Sequence, residues 1–83
     1  LVNKVVPQAE LIGAAEAMMK LMLANGPIAL GFVIEAVNRG LDTTLEEGLV
    51  IEANHFGLIA TTSDMKEGMG AFLAKRPAAF KGA

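Results

Sequence analysis

The 83-residue chain contains no cysteine, no tryptophan and no tyrosine, only three prolines and a single histidine. Without cysteine there are no disulfides, no thiol nucleophile and no thiolate metal site, a usage that fits the cytosol and an organelle matrix equally. Aromatic rings that stack on bases are nearly missing, no basic block is present, and the formal net charge is −2, so nothing resembles a nucleic-acid footprint. Long hydrophobic runs are missing as well. A membrane-crossing helix needs about 18 uninterrupted apolar residues, whereas Leu11–Ala24 is broken by Gly13, Glu16 and Lys20, and Ile28–Val37 by Glu35. Both stretches read as core helices, and no membrane partner is expected. Leu1 opens no signal-peptide pattern, which is uninformative if a longer amino-terminal part precedes it; the expected compartment is the cytoplasm, with the mitochondrial matrix as the other candidate.

What the chain does have is apolar surface. Hydrophobic residues make up 53% of the sequence, charged ones 19%, and the mean hydropathy is +0.47. One small domain of this length buries a modest share of its surface, so part of that apolar content calls for a partner. The expected state is therefore an oligomer.

The pattern along the chain predicts a short amino-terminal strand followed by about four helices. Leu1–Val6 is a valine-rich run stopped by Pro7, which removes a backbone donor and biases Val6 to extended geometry. No second segment has the period-2 alternation of a partner strand, so this strand is expected to pair outside residues 1–83. Helical spacing then runs from Ala9 to Ala24, and Asn25-Gly26-Pro27 reads as a left-handed stop with a proline restart. Pro27–Asn38 is the second helix, with Gly40 as its carboxyl cap. Thr44-Leu-Glu-Glu47 has capping-box spacing and opens the third, whose Leu49, Val50, Ala53, Phe56 and Ala60 share one face. Ser63 is the expected amino cap of the last helix, with Asp64 and Glu67 in its first turn, Lys75 and Arg76 at its end, and a Met65, Met69, Phe72 and Leu73 stripe.

Candidate chemistry is sparse. Glu52-Ala-Asn-His55 matches the Glu-x-x-His spacing of carboxylate-bridged metal bundles. Such a site needs a second copy of the motif, which one histidine supplies only in a symmetric dimer, and a surface or interface histidine is the simpler reading. The nine carboxylates read as helix starts and solvated pairs, so no catalytic residue and no metal ligand is assigned. Gly68-Met-Gly70 falls in a helical pattern where glycine allows close packing; it does not cradle phosphate. On spacing alone, Phe56 and Phe72 are core aromatics and Lys75 a helix-end cation.

The segments Leu1-Val-Asn-Lys-Val-Val-Pro7 and Phe56-Gly-Leu-Ile-Ala-Thr-Thr-Ser-Asp-Met-Lys-Glu-Gly-Met-Gly-Ala-Phe-Leu-Ala-Lys-Arg76, together with the tail to Gly82, resemble the carboxyl-terminal region of the enoyl-CoA hydratase (crotonase) family. The resemblance covers essentially the whole chain as one region, residues 1–83. It implies an all-α trimerisation region of a crotonase fold, lacking the catalytic spiral core. The partners it implies are sister subunits, as a trimer or a dimer of trimers. No cofactor is implied; acyl-CoA is the substrate of the parent enzyme, a lyase of fatty-acid or related acyl-CoA metabolism. By position in the pattern, Phe56 would line the acyl pocket, and Phe72 and Lys75 would reach the bound CoA from a neighbouring subunit, the lysine at the phosphate-bearing end. Family members use two glutamates and two backbone amides for the chemistry, and none of those positions is matched here. The resulting expectation is an oligomerisation and site-covering segment of an enzyme that reversibly hydrates 2-enoyl-CoA thioesters. A free-standing helical self-association module is the rival reading.

Overall fold

The computed structural model describes all residues 1–83 and is entirely helical. A 3-10 turn over Gln8–Glu10 leads into α1 (Leu11–Leu23), followed by α2 (Pro27–Leu41), α3 (Leu45–Ile59) and α4 (Ser63–Leu73). Residues 74–83 return as an irregular tail across the start of α4.

The expected strand at Leu1–Val6 does not form. Extended backbone becomes a strand only by exchanging hydrogen bonds with a neighbour, and the chain offers none, so the segment runs free up to Pro7. Gly26 also departs from expectation. Its φ of −62° is ordinary extended backbone, and it serves as the amino cap of α2, with Pro27 as the first helical residue. α1 is instead closed by the Asn25 side chain, whose amide donates to the carbonyls of Leu21 (3.0 Å) and Met22 (3.1 Å). α2 runs through Gly40 and stops at Asp42, because glycine ends a helix only where the backbone turns left-handed.

At α3 the predicted cap is present in part. The Glu47 N–H donates to Thr44 Oγ1 at 3.2 Å, while the Glu47 carboxylate takes the hydroxyl of Thr43 and does not turn back to the Thr44 amide. Thr62, one residue before the expected Ser63, caps α4 by accepting from the Met65 N–H at 3.1 Å.

Only α2 and α3 pack along their lengths. Phe32, Ala36 and Gly40 on α2 face Gly48, Ile51, His55 and Ile59 on α3, and all of these are half-buried, as are Ile28, Ala29 and Leu30 at the start of α2. The crossing is tight at the glycines, where a Cβ on Gly48 would stand 3.6 Å from Gly40 Cα. The shared apolar face of α3, with Phe56 expected as a core aromatic, lies away from this contact: Leu49, Val50 and Phe56 are exposed. The small residues at 40 and 48 let the backbones approach, which decides the register against the bulkier face.

The molecule is a slab of 43 × 38 × 19 Å with a radius of gyration of 16.0 Å, against about 12 Å for a compact chain of this length. Its accessible surface is 6818 Å², where a compact monomer of equal mass exposes roughly 4,700 Å². Three residues alone are buried, Gly26, Asp64 and Ala71. No single helix is long and apolar enough to cross a membrane; α1 with its leading turn and α2 together have the length and composition, but they meet at 102°.

Candidate functional site

The densest polar structure in the chain is the junction of α4 with the tail. Asp64, only 7% exposed, sits in the first turn of α4 and accepts from the Lys81 N–H (2.7 Å) and the Gly82 N–H (2.8 Å), one on each carboxylate oxygen. The Asp64 N–H and the Ser63 hydroxyl both donate to the Ala83 carbonyl, at 2.8 and 2.7 Å. Gly82 turns with φ +76°, a left-handed geometry that glycine adopts without a Cβ clash and that brings its amide onto the carboxylate. Phe80 is carried in by the same turn. Its ring lies over Gly68, where an added Cβ would meet Cε1 at 3.3 Å, and beside Gly26 at 3.7 Å. The tail thereby bridges α4 to the α1–α2 corner. Ser63 and Asp64, read from spacing as a cap and a first-turn charge, are both tail anchors.

A second clamp lies one turn on. The Arg76 guanidinium donates to both oxygens of Glu67 (2.6 and 2.9 Å), and the Ala79 N–H adds a third bond to Oε1 at 2.8 Å. These bonds, the Arg76 contact first and the Ala79 amide second, pull the Glu67 carboxyl down from its ordinary 4.5 to about 2, and Glu67 in turn pushes Arg76 up. The folded-state value lies below the unfolded one, so the contribution of Glu67 is complete above about pH 4.5 and disappears as pH falls through about 2. In an acid titration followed by NMR, the Ala79 amide should hold its position through pH 4.5 and shift only near pH 2. Movement at pH 4 to 5 would mean the clamp does not hold in solution.

α4 ends in a Schellman motif. The Arg76 N–H donates to Ala71 O (3.0 Å) and the Lys75 N–H to Phe72 O (3.2 Å), which puts Lys75 in the left-handed position with φ +51°.

His55 stacks on Phe32 with ring centroids 4.8 Å apart. Its side chain is 12% exposed, Nε2 lies 3.7 Å from Glu35 Oε2, and Nδ1 is buried without a hydrogen-bond partner. Glu35 forms its closer pair with Arg39 at 2.9 Å, an i,i+4 contact along α2. Histidine and carboxylates do not converge in a group of three anywhere in the chain.

The three residues singled out from the sequence lie apart from the tail clamps. Phe56 is 61% exposed and borders a small cleft of about 150 Å³ with Phe32, Val33 and His55. Phe72 is 79% exposed on α4, and Lys75 follows that helix with no ion pair of its own. The cleft beside Phe56 includes neither Phe72 nor Lys75. Phe56 and Phe72 are thus surface rings of this chain and not its core. Of the stripe along α4, Met65 is half-buried, while Met69, Phe72 and Leu73 face out. A larger apolar groove, of about 430 Å³, opens between the ends of α2 and α3, walled by Val33, Val37, Leu41, Leu45 and Leu49. Gly68 does serve close packing, against Phe80, whereas Gly70 has nothing within 4 Å of an added Cβ.

Comparison with known proteins places this arrangement. The model of the family described as enoyl-CoA hydratase/isomerase matches residues 1–83. The chain is 42% identical over 80 residues to a crotonyl-CoA hydratase of Syntrophomonas wolfei, covering 96% of the chain and 31% of that protein. It is 47% identical over 72 residues to a probable enoyl-CoA hydratase of Rhizobium meliloti, covering 87% of the chain and 26% of that protein. Among solved structures, the enoyl-CoA hydratase of Bacillus anthracis superposes with a TM-score of 0.89 at 34% identity, over 95% of this chain and 31% of that one. That of Polaromonas sp. JS666 gives 0.90 at 32% identity, over 96% and 31%. The chain spans less than a third of the length of these relatives. With its full length matched by the family model and its helices superposed on those enzymes, the chain belongs to the enoyl-CoA hydratase/isomerase family.

Proposed function

We propose that this chain is the carboxyl-terminal helical region of an enoyl-CoA hydratase-like enzyme, where it joins subunits and covers the acyl-CoA site while contributing no catalytic group. The parent enzyme reversibly adds water across the double bond of 2-enoyl-CoA thioesters. One observation carries the reading: the whole chain matches the family over less than a third of its relatives' length while leaving its apolar faces open. A segment that finished its own core would not expose Leu49, Phe56, Phe72 and Leu73 together. In the assembled enzyme, Phe56 serves as an apolar wall that keeps water from the acyl chain. Phe72 and Lys75 reach the CoA bound by a neighbouring subunit, the ammonium as a compact phosphate partner. Its place is in fatty-acid or related acyl-CoA metabolism, in a trimer or a dimer of trimers.

The rival is a self-association module with no role in CoA chemistry, favoured by the same exposed faces. Hydration of a 2-enoyl-CoA separates the two. The 83 residues alone should give no turnover, and the intact enzyme carrying them should turn over the thioester; an intact protein without hydratase activity would leave the module. Titration of the isolated chain with CoA adds a second reading, since a closed oligomer that ignores CoA is what the module predicts.

A further inference from the structure

We propose that the Glu67–Arg76 pair is a positioning device for Lys75, holding the residue after α4 in the left-handed conformation from which its ammonium is presented to the CoA moiety. Lys75 is the one non-glycine residue of the chain with positive φ. The position it occupies in the Schellman motif is one that glycine fills without strain and that a Cβ opposes. A glycine would close α4 equally well but would carry no charge. Backbone strain accepted at an exposed, unpaired cation points to a use for that cation.

What holds the strained residue is visible on its carboxyl side. Arg76 is tied by two bonds to Glu67 (2.6 and 2.9 Å) and by a third to its neighbour's carbonyl, Pro77 O (3.1 Å). Glu67 also accepts from the Ala79 N–H at 2.8 Å. One carboxylate on the body of α4 therefore fixes residues 76 and 79 together, and the chain leaving Lys75 has a single direction. With the Arg76 side chain released, only the two backbone bonds of the Schellman turn would oppose relaxation of Lys75 to right-handed or extended backbone, a relaxation that swings its side chain away. The planar fork of arginine suits this task where a lysine would not.

The inference rests on the reading of Lys75 as a CoA contact, and the experiment separates the two. In the intact enzyme, steady-state kinetics are compared for a 2-enoyl-CoA and for the same acyl group on pantetheine, which lacks the nucleotide. Glu67→Gln should raise KM for the CoA thioester about tenfold while leaving kcat and the pantetheine KM unchanged, the pattern of a lost binding contact remote from the chemistry. Arg76→Lys, which keeps the charge and loses the fork, should act in the same direction and carries the test should Glu67→Gln fail to fold. Equal effects on both substrates, or none on either, would overturn the positioning role and leave Glu67–Arg76 a merely structural pair. Lys75→Ala tests the underlying reading by itself: if it spares the CoA thioester, the CoA contact fails whatever Glu67→Gln does.

Discussion

Asp64→Ala should release the end of the tail from α4 and lower hydrogen-exchange protection at the Lys81 and Gly82 amides by about a hundredfold, since a hydrogen bond to a charged group contributes roughly 1.5–3 kcal/mol and each 1.4 kcal/mol is a factor of ten. Both amides donate to the same carboxylate, at 2.7 and 2.8 Å, and that carboxylate is nearly out of contact with water. Once it is gone, no other acceptor stands in place for either amide, and the two donors exchange with solvent. Phe80 should leave with them, because the turn that carries its ring onto Gly68 and Gly26 is built from those bonds. Asp64→Asn should fall in between, as the amide group keeps one acceptor and sets a donor against the other tail N–H. Glu67→Gln is the control: it loosens Ala79 and leaves residues 81 and 82 anchored. Protection at Lys81 and Gly82 that survives Asp64→Ala would show that the tail is held by something other than this carboxylate.

The second large effect is expected in assembly. The surface beyond that of a compact monomer amounts to roughly 2,000 Å², about what a stable protein–protein interface buries in total. Sedimentation should find the isolated chain as more than one copy. Val37→Asp should shift it towards monomer, weakening association by at least about a hundredfold, because taking an unpaired charge out of water costs several kcal/mol. Val37 is 54% exposed on the wall of the apolar groove, so the substitution leaves the fold of a single copy largely untouched and tests this groove as the place where copies would meet. Glu46→Lys, at an exposed helix start, should leave the association as it is. A monodisperse wild-type monomer at high concentration would remove the oligomer reading altogether.

How much of this was legible beforehand depended on the range of the interactions involved. Local rules located all four helices: the proline restart at Pro27, the threonine cap at Thr44 and the spacing from Leu11 onwards act within one or two turns. The same rules took Phe56 for a core aromatic, and it lies on the outward face of α3. Apolar spacing marks a face that avoids water, and in this chain two faces do so; the glycines at 40 and 48 decide which one meets α2. The strand at Leu1–Val6 failed for a related reason, since β-propensity supplies half of a ladder and never its partner. The tail clamps had no local signal. Asp64 meets amides 17 and 18 positions away, and Glu67 meets an arginine nine positions away, across the end of the helix that carries it. Lys75 was identified by its place in a family pattern, but its left-handed backbone follows from the Schellman turn and is visible only in three dimensions.

The anchoring of Asp64 also sets an order of events during synthesis. Its two amide donors are made 17 and 18 residues after it, so the first turn of α4 exists before the groups that hold it are in place. During that interval its first turn carries an unsheltered carboxylate, and the helix is free to change its angle to the α1–α2 corner. The orientation of Phe72 and Lys75 therefore becomes fixed only once residues 81 and 82 have folded back onto Asp64, and a chain cut before residue 81 would present its outward rings in no defined direction.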